Sequence, residues 1–245
     1  MLEIVSIERI AAQGMTKPLI CLADDGDTYL VKYANGATVN GLVKEWLAGH
    51  LAQDFGFKIP KFVPAFLCQD LIAAYPDFRK HEVISKPVEG VVFASKWQAF
   101  AKEFMYPNVK MVSLELQQDL LVFDLWIGND DRSLTEKGGN VNLLWSPQQE
   151  SFFVIDHNLA FPDQLKNDFL SDHVFRGSAG ERYQFDLITR EAYELKLQKK
   201  LQKWNIYVSS CPKEWLESEL FDLDLDKIYQ QLIEDAHGNL WNKLR

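Results

Sequence analysis

A lysine stands inside the β-rich run Tyr29-Leu30-Val31-Lys32, and a glutamate, Glu45, follows it thirteen residues later. Much further along come Gly128-Asn129-Asp130-Asp131-Arg132, then Gly138-Gly139-Asn140-Val141-Asn142, then one acid, Asp156, at the end of Phe152-Phe153-Val154-Ile155. Taken singly, each has a plain reading: an exposed strand lysine, a solvated helix glutamate, an acidic surface turn, a glycine-asparagine hairpin. Two of them strain that reading. A lysine in a buried strand is costly unless it is paired, and a carboxylate ending an apolar strand is desolvated unless it meets a cation. In chain order the set matches what phosphoryl transfer demands. That chemistry needs a cation on the phosphates, carboxylate and amide ligands for magnesium, a carboxylate facing the acceptor hydroxyl, and close backbone approach.

The elements that must position these residues are partly legible from local pattern. Residues 18–22, the turn Asp25-Gly26-Asp27 and residues 28–33 predict a β-hairpin that carries Lys32 near its end. Residues 40–55 repeat apolar side chains (Leu42, Val43, Trp46, Leu47, Leu51, Phe55) at three- and four-residue steps, which predicts an amphipathic helix bearing Glu45, with Asn40 as N-cap and Gly56 as the stop. Residues 58–63 and 71–75 read as short strands, and 83–84 and 91–93 as weaker ones. Helices are expected over 95–104 and 113–127; the second is apolar on most sides, ends at Gly128, and so delivers the Gly-Asn-Asp-Asp-Arg string from a buried position. Residues 142–145 and 152–155, separated by a turn that begins Ser146-Pro147-Gln148-Gln149, predict a second hairpin with Asp156 at its exit. Helices over 186–204, 212–220 and 226–236 complete the chain.

The strings Gly-Asn-Asp-Asp-Arg (128–132), Asn-Val-Asn-Leu-Leu-Trp (140–145) and Val-Ile-Asp-His-Asn-Leu-Ala-Phe-Pro (154–162) together resemble the catalytic-loop and metal-binding segments of HipA-like kinases, and similarly of type II phosphatidylinositol 4-kinases. The likeness runs from about Gly14 to the C-terminal helices, and Cys211-Pro212-Lys213-Glu214-Trp215 looks like that domain's closing helix. The resemblance implies an α+β, bilobal protein-kinase-like fold in a single domain, 1–245, with a β-rich N-lobe over about 1–95 and a mainly helical C-lobe over about 96–245. It implies Asp131 as the catalytic aspartate, with Asp130 its neighbour, and Asn140 as the amide ligand of magnesium, with Asn142 the alternative. It makes Asp156 the carboxylate that bridges magnesium to the phosphates, and Lys32 and Glu45 the phosphate lysine and its helix partner. Gly14-Met15-Thr16-Lys17-Pro18 becomes the phosphate-covering loop, reaching nucleotide through its amides and the Thr16 hydroxyl. Arg132 either braces the catalytic loop, touches the acceptor or forms a surface salt bridge. Two departures stand out. The stretch from Asp131 to Asn140 is longer than the family's short spacing, because part of Ser133–Lys137 looks inserted, and His157-Asn158 replaces the usual Phe-Gly pair. Residues 161–182 form the expected acceptor-side loop, where His173 and Arg176 read as surface residues.

Composition narrows the partners. With 245 residues, 47% apolar and 13% aromatic, the chain can bury a full core. A formal net charge of -9 disfavours direct nucleic-acid binding, which depends on cations that neutralise phosphates. Three widely spaced cysteines form neither a disulfide framework nor a zinc site and are expected to be reduced thiols. No stretch of about twenty apolar residues and no basic-then-apolar leader is present, so a cytoplasmic protein without membrane contact is expected. The resemblance thus implies an ATP- and magnesium-dependent Ser/Thr protein kinase, with ATP, a hydroxyl acceptor and a possible protein partner as its binding partners. A small-molecule or lipid kinase on the same fold, or a catalytically weak binding module of toxin and antitoxin type, stand as alternatives.

Overall fold

The computed structural model describes residues 1–12, 14, 16–79, 86–134, 138–164, 173–175 and 185–244. The expected weak strand at 83–84, Met15 and Arg176 lie outside them. The chain divides into two compact units. One comprises Met1–Trp46, Pro60–Ala99 and Ser210–Leu223, and the other Leu47–Ile59, Phe100–Ser209 and Asp224–Arg245.

The first unit is built on five strands, β1 (Leu2–Ile10), β2 (Leu19–Ala23), β3 (Thr28–Lys32), β4 (Phe62–Leu67) and β5 (Gly90–Lys96). They close into a barrel in the order β1-β2-β3-β5-β4, sealed by a parallel pairing of Leu2 with Ala65 and Glu3 with Phe66. Closure leaves no row of unpaired backbone groups at an edge. The β2–β3 hairpin forms as its pattern predicts: Gly26 takes φ +81 in the turn, which glycine adopts without a Cβ penalty. Ile4, Leu19, Cys21, Tyr29, Val31, Ala65, Val92 and Ala94 fill the interior. Burial pushes the Cys21 thiol up to about 12, with a smaller contribution from Glu8, and it is a free cysteine.

Three segments depart from their sequence reading here. Of residues 71–75, expected as a strand, 71–74 lie in a short helix, α3 (Gln69–Ala74), with Tyr75 as its C-cap, after α1 (Ala34–Ala37) and α2 (Val39–Phe55). With β5 already paired to both β3 and β4, and β4 to β1, the barrel offers this run no ladder, and Ile72 alone among its helical residues is buried. The 58–63 strand begins only at Phe62. The N-cap of α2 also shifts: the Thr38 hydroxyl accepts the Gly41 amide at 3.0 Å, whereas Asn40 accepts the Asp222 amide. The closing helix expected over 212–220 is a single turn, α7 (Lys213–Leu216), in the first unit; Trp215 donates its indole N–H to the Val91 carbonyl at 2.9 Å and stacks edge-on with Trp46.

The expected helix over 95–104, whose residues 95–99 belong to the first unit and 100–104 to the second, does not form. Ser95 and Lys96 remain in β5, paired across to Leu30 and Tyr29, and the chain then turns into β6 (Lys102–Glu103). Cross-strand pairing on both sides of β5 outweighs the local helical spacing. β6 joins β7 (Leu143–Ser146) and β8 (Ser151–Val154) in a three-stranded sheet, the latter two forming the predicted hairpin. α4 (Leu114–Ile127) is the buried central helix: Ser113 caps its start, Gly128 ends it at φ +69, and every residue from Leu120 to Ile127 is buried. The helix expected over 186–204 stops at Leu201 as α5 (Leu187–Leu201), and α6 (Trp204–Ser210) follows. α8 (Leu225–Ala236) starts on an Asp224 cap. Trp126 of α4 donates to the Leu232 carbonyl at 3.0 Å, and Tyr193 of α5 donates to Asp119 at 2.9 Å, so α4 is held by both neighbours. Among the described residues no helix is long and apolar enough to cross a membrane.

His50, in the part of α2 that belongs to the second unit, stacks on Tyr207 with ring centroids 5.0 Å apart and planes 4° apart, and Tyr207 donates to Asp54. Burial holds the His50 pKa below its ordinary 6.5, against the smaller opposing pull of Asp54. Above pH 6.5 the imidazole is neutral in both folded and unfolded chains. As pH falls below that value the unfolded chain binds the proton first, so stability is lost until native His50 protonates as well. A His50→Phe variant, which keeps the stack, is expected to show a shallower fall of Tm from pH 7 to pH 5 than the parent; equal slopes in a pH-resolved melting series would refute the assignment.

Candidate active site

In the first unit, β3 ends on Lys32, in register opposite Phe93 of β5. Its Nζ lies 2.8 Å from Oε2 of Glu45 on α2, and the two side chains are 5% and 6% exposed. The exposed-lysine and solvated-glutamate readings are therefore excluded. Such a pair adds little net stability, because lost hydration offsets most of its attraction, and buried charges of this kind concentrate at functional sites. Gly14 and Thr16 lie in the connection between β1 and β2. Gly14 takes φ +97 and its carbonyl accepts the Lys17 amide at 3.2 Å, closing a turn. The Thr16 carbonyl lies against Gly36 of α1, where a Cβ would come within 2.4 Å of it, and the Tyr33 hydroxyl donates to the Lys17 carbonyl. The loop is thus anchored to the segment just after Lys32.

In the second unit, the left-handed Gly128 turns the chain out of α4 into Asn129–Arg132. The Asp131 carboxylate gathers both candidate amides on one oxygen: Oδ2 accepts Asn140 Nδ2 at 2.6 Å and Asn142 Nδ2 at 3.0 Å. Oδ1 accepts no hydrogen bond among the described residues. The Ser133 amide donates to the Asn140 carbonyl at 2.8 Å, joining two described residues on either side of the apparent insertion. Gly139 sits where a Cβ would come within 2.4 Å of the Ser133 carbonyl. Residues 135–137 of the apparent insertion lie outside the described residues. The Ile155 amide donates to the Asn142 carbonyl at 3.1 Å, extending the β7–β8 ladder by one step, so Asp156 follows directly on the residue opposite Asn142. Asn142 and Asp156 both adopt left-handed backbone, φ +47 and +59, a conformation that non-glycine residues adopt at some cost and that clusters at functional sites. His157 turns inward, buried edge-on against Phe123 of α4, and the Phe161 amide donates to the Ile127 carbonyl at 2.7 Å.

Arg132 does not form a surface salt bridge and does not face outward to an acceptor. It is 1% exposed; Nε donates to Asp124 Oδ2 at 2.7 Å and Nη1 to the Asn142 carbonyl at 2.5 Å. It braces the loop, the first of the roles considered for it. His173, read from sequence as a surface residue, is buried, and its Nε2 lies 3.0 Å from the same Asp124 oxygen. Asn129 Nδ2 donates to the other oxygen of Asp124 at 3.0 Å. Burial pushes the Asp124 carboxyl up, but the Arg132 charge and the bonds from His173 and Arg132 outweigh it and hold the pKa below the ordinary carboxylate value. Asp124, Asn129 and His173 are what sequence reasoning missed. Their signal was an acid inside the otherwise apolar run from Leu120 to Ile127, which needs a buried partner.

Among the described residues no cluster of three or more His, Cys, Asp or Glu stands ready to hold a metal alone. Magnesium is characteristically held by one or two protein groups together with substrate phosphates, and the oxygen donors of Asn142 and Asp156 suit that hard cation.

A family model described as HipA-like kinase matches residues 4–244. Among solved structures, the chain is similar to the proinflammatory kinase CtkA of Helicobacter pylori, with a TM-score of 0.51 and 14% identity over 97% of this chain and 96% of that one, a likeness of fold. A Rio2 kinase from Chaetomium thermophilum, solved as an ADP/Mg2+-phosphoaspartate complex, aligns with a TM-score of 0.35 and 10% identity over 96% of this chain and 72% of that one, a level from which no structural conclusion follows. No curated protein matches the chain.

Proposed function

The chain belongs to the HipA-like kinases and is therefore a phosphotransferase enzyme of kinase-like fold, and on that premise we propose that it transfers the γ-phosphoryl group of ATP, taken as its magnesium complex, to a serine or threonine hydroxyl of a protein. The two units then correspond to a β-rich N-lobe and a mainly helical C-lobe of one domain. The observation that carries this reading is the Asp131 carboxylate, with Oδ2 fixed by Asn140 and Asn142 and Oδ1 left to face an acceptor.

In the proposed reaction the acceptor oxygen bonds to the γ-phosphorus as the bond from that phosphorus to the bridging oxygen breaks. ADP leaves with the electron pair. The hydroxyl proton passes to Asp131, whose orientation the two asparagines hold. Lys32, kept in place by Glu45, neutralises phosphate charge, and the Gly14–Thr16 turn offers backbone amides and a hydroxyl to the phosphates. Magnesium, when bound, supplies charge neutralisation at the β- and γ-phosphate oxygens. Asp156 would be its carboxylate ligand, and the register favours Asn142 over Asn140 as the amide ligand.

Melting with and without nucleotide tests the first half of this reading. Mg-ATP at one hundred times its Kd should stabilise the protein by about 2.7 kcal/mol, and chelating the metal should remove most of that gain. An unchanged Tm at millimolar Mg-ATP would sink the proposal. Radiolabelled transfer to separate protein, lipid and small-molecule pools identifies the acceptor class, and label in the protein pool is the expected result.

A further inference from the structure

His173 lies 49 residues from Asp124 in the chain and 42 beyond Asp131, yet it completes the buried cluster beneath the catalytic loop. Its Nδ1 accepts the Phe175 amide at 3.3 Å, so in the neutral ring the proton resides on Nε2, which donates to Asp124 Oδ2 at 3.0 Å. That oxygen also accepts Arg132 Nε at 2.7 Å, and Arg132 in turn holds the Asn142 carbonyl, whose residue reaches back to the Asp131 carboxylate. The backbone adds a second connection. Ser133 and His173 form an antiparallel bridge, and the Val174 amide donates to the Arg132 carbonyl at 2.9 Å. Val174 and Phe175 are fully buried, and Phe175 packs on Phe104 and Phe152, so the three-residue stretch is anchored in the core of its unit.

We propose that His173 is a positioning residue for phosphotransfer, acting through Asp124 and Arg132 to hold Asp131 and Asn142 in their reactive arrangement. This rests on the kinase reading above. Asn129 on Oδ1 with Arg132 and His173 on Oδ2 together fix the Asp124 carboxylate; without His173, Oδ2 loses one of its two donors and can shift with Arg132, so the guanidinium that carries the Asn142 carbonyl is held less rigidly. Small displacements of a catalytic group suffice to slow a reaction strongly.

The test compares three variants of the full chain at a temperature well below the lowest Tm among them. In His173→Gln the side-chain amide reaches the place of Nε2 and can still donate to Asp124. In His173→Asn the shorter amide stays near Nδ1 and cannot. In His173→Leu both polar atoms are lost. The expected result is a kcat lower by about 10- to 100-fold in the Asn and Leu variants, with KM for Mg-ATP changed less than about 3-fold, and recovery to within about 3-fold of the parent kcat in the Gln variant. Should the Leu variant fail to fold, the Gln and Asn pair alone decides the matter. Parent-like kcat in His173→Asn, or equal loss in Gln and Asn, overturns the positioning role while leaving the kinase reading intact. Absence of any phosphotransfer by the parent protein overturns both.

Discussion

Asp131→Asn should lower phosphotransfer by about 10²- to 10⁴-fold, the range over which a positioned general base acts, while moving Tm by no more than about 2 °C. The substitution is isosteric at a partly exposed position. The new side-chain oxygen can occupy the place of Oδ2 and still accept from Asn140 and Asn142. What it lacks is a basic oxygen turned to the acceptor. The same change at Asp130 serves as the control, because neither asparagine amide reaches that neighbour, and it should leave most of the activity. Turnover in Asp131→Asn equal to that of the parent would place the base elsewhere.

The second large effect concerns Lys32 and Glu45, and it separates stability from activity. Glu45→Ala takes away the carboxylate 2.8 Å from a lysine that is 5% exposed. Removing one partner of a buried ion pair destabilises by about 3–5 kcal/mol, which at this chain length is a Tm lower by roughly 6–20 °C. Replacing both, as Lys32→Met with Glu45→Leu, removes the desolvation penalty along with the attraction. The double variant should regain most of the lost stability, since apolar substitution of a whole buried pair is often neutral or better. Its activity should remain lost, because no cation then meets the phosphates. A double variant that melts with the parent but shows no stabilisation by Mg-ATP is the expected outcome. A double variant that still gains Tm on adding Mg-ATP would remove Lys32 from the nucleotide site.

These two results depend on groups whose importance the sequence and the tertiary structure disclose to different degrees. Asp131, Asn140, Asn142 and Asp156 stand close enough in the chain, and follow strong enough local signals, to be read together. Ser113 and Gly128 bound the helix before them, and the turn at residues 147–150 folds the hairpin that brings Asp156 back beside Asn142. The Asp25-Gly26 turn does the same for Lys32. Caps and turns are short-range interactions, so a few residues suffice to specify them.

What depended on distant partners was not legible. Residues 71–75 find no neighbour that offers a ladder, whereas residues 95–96 and 102–103 of the expected helix pair as strands with β3 and β7, because a strand exists only where a neighbour offers a ladder. Asn40 has the chemistry of an N-cap, but Thr38 takes that place and Asn40 reaches Asp222 instead, 182 residues away. Arg132 had three readings, bracing the loop, touching the acceptor or pairing at the surface, until a fully buried acid eight residues earlier claimed it, and His173 read as a surface residue until the same acid did. The sequence by itself determined the family, the order of the reactive groups and the elements bounded by local turns and caps, since those follow from neighbouring residues. Only the tertiary structure decided which buried charges meet, because the cost of leaving a charge unpaired in the interior is set by whatever residue the fold brings to it, however far along the chain that residue lies.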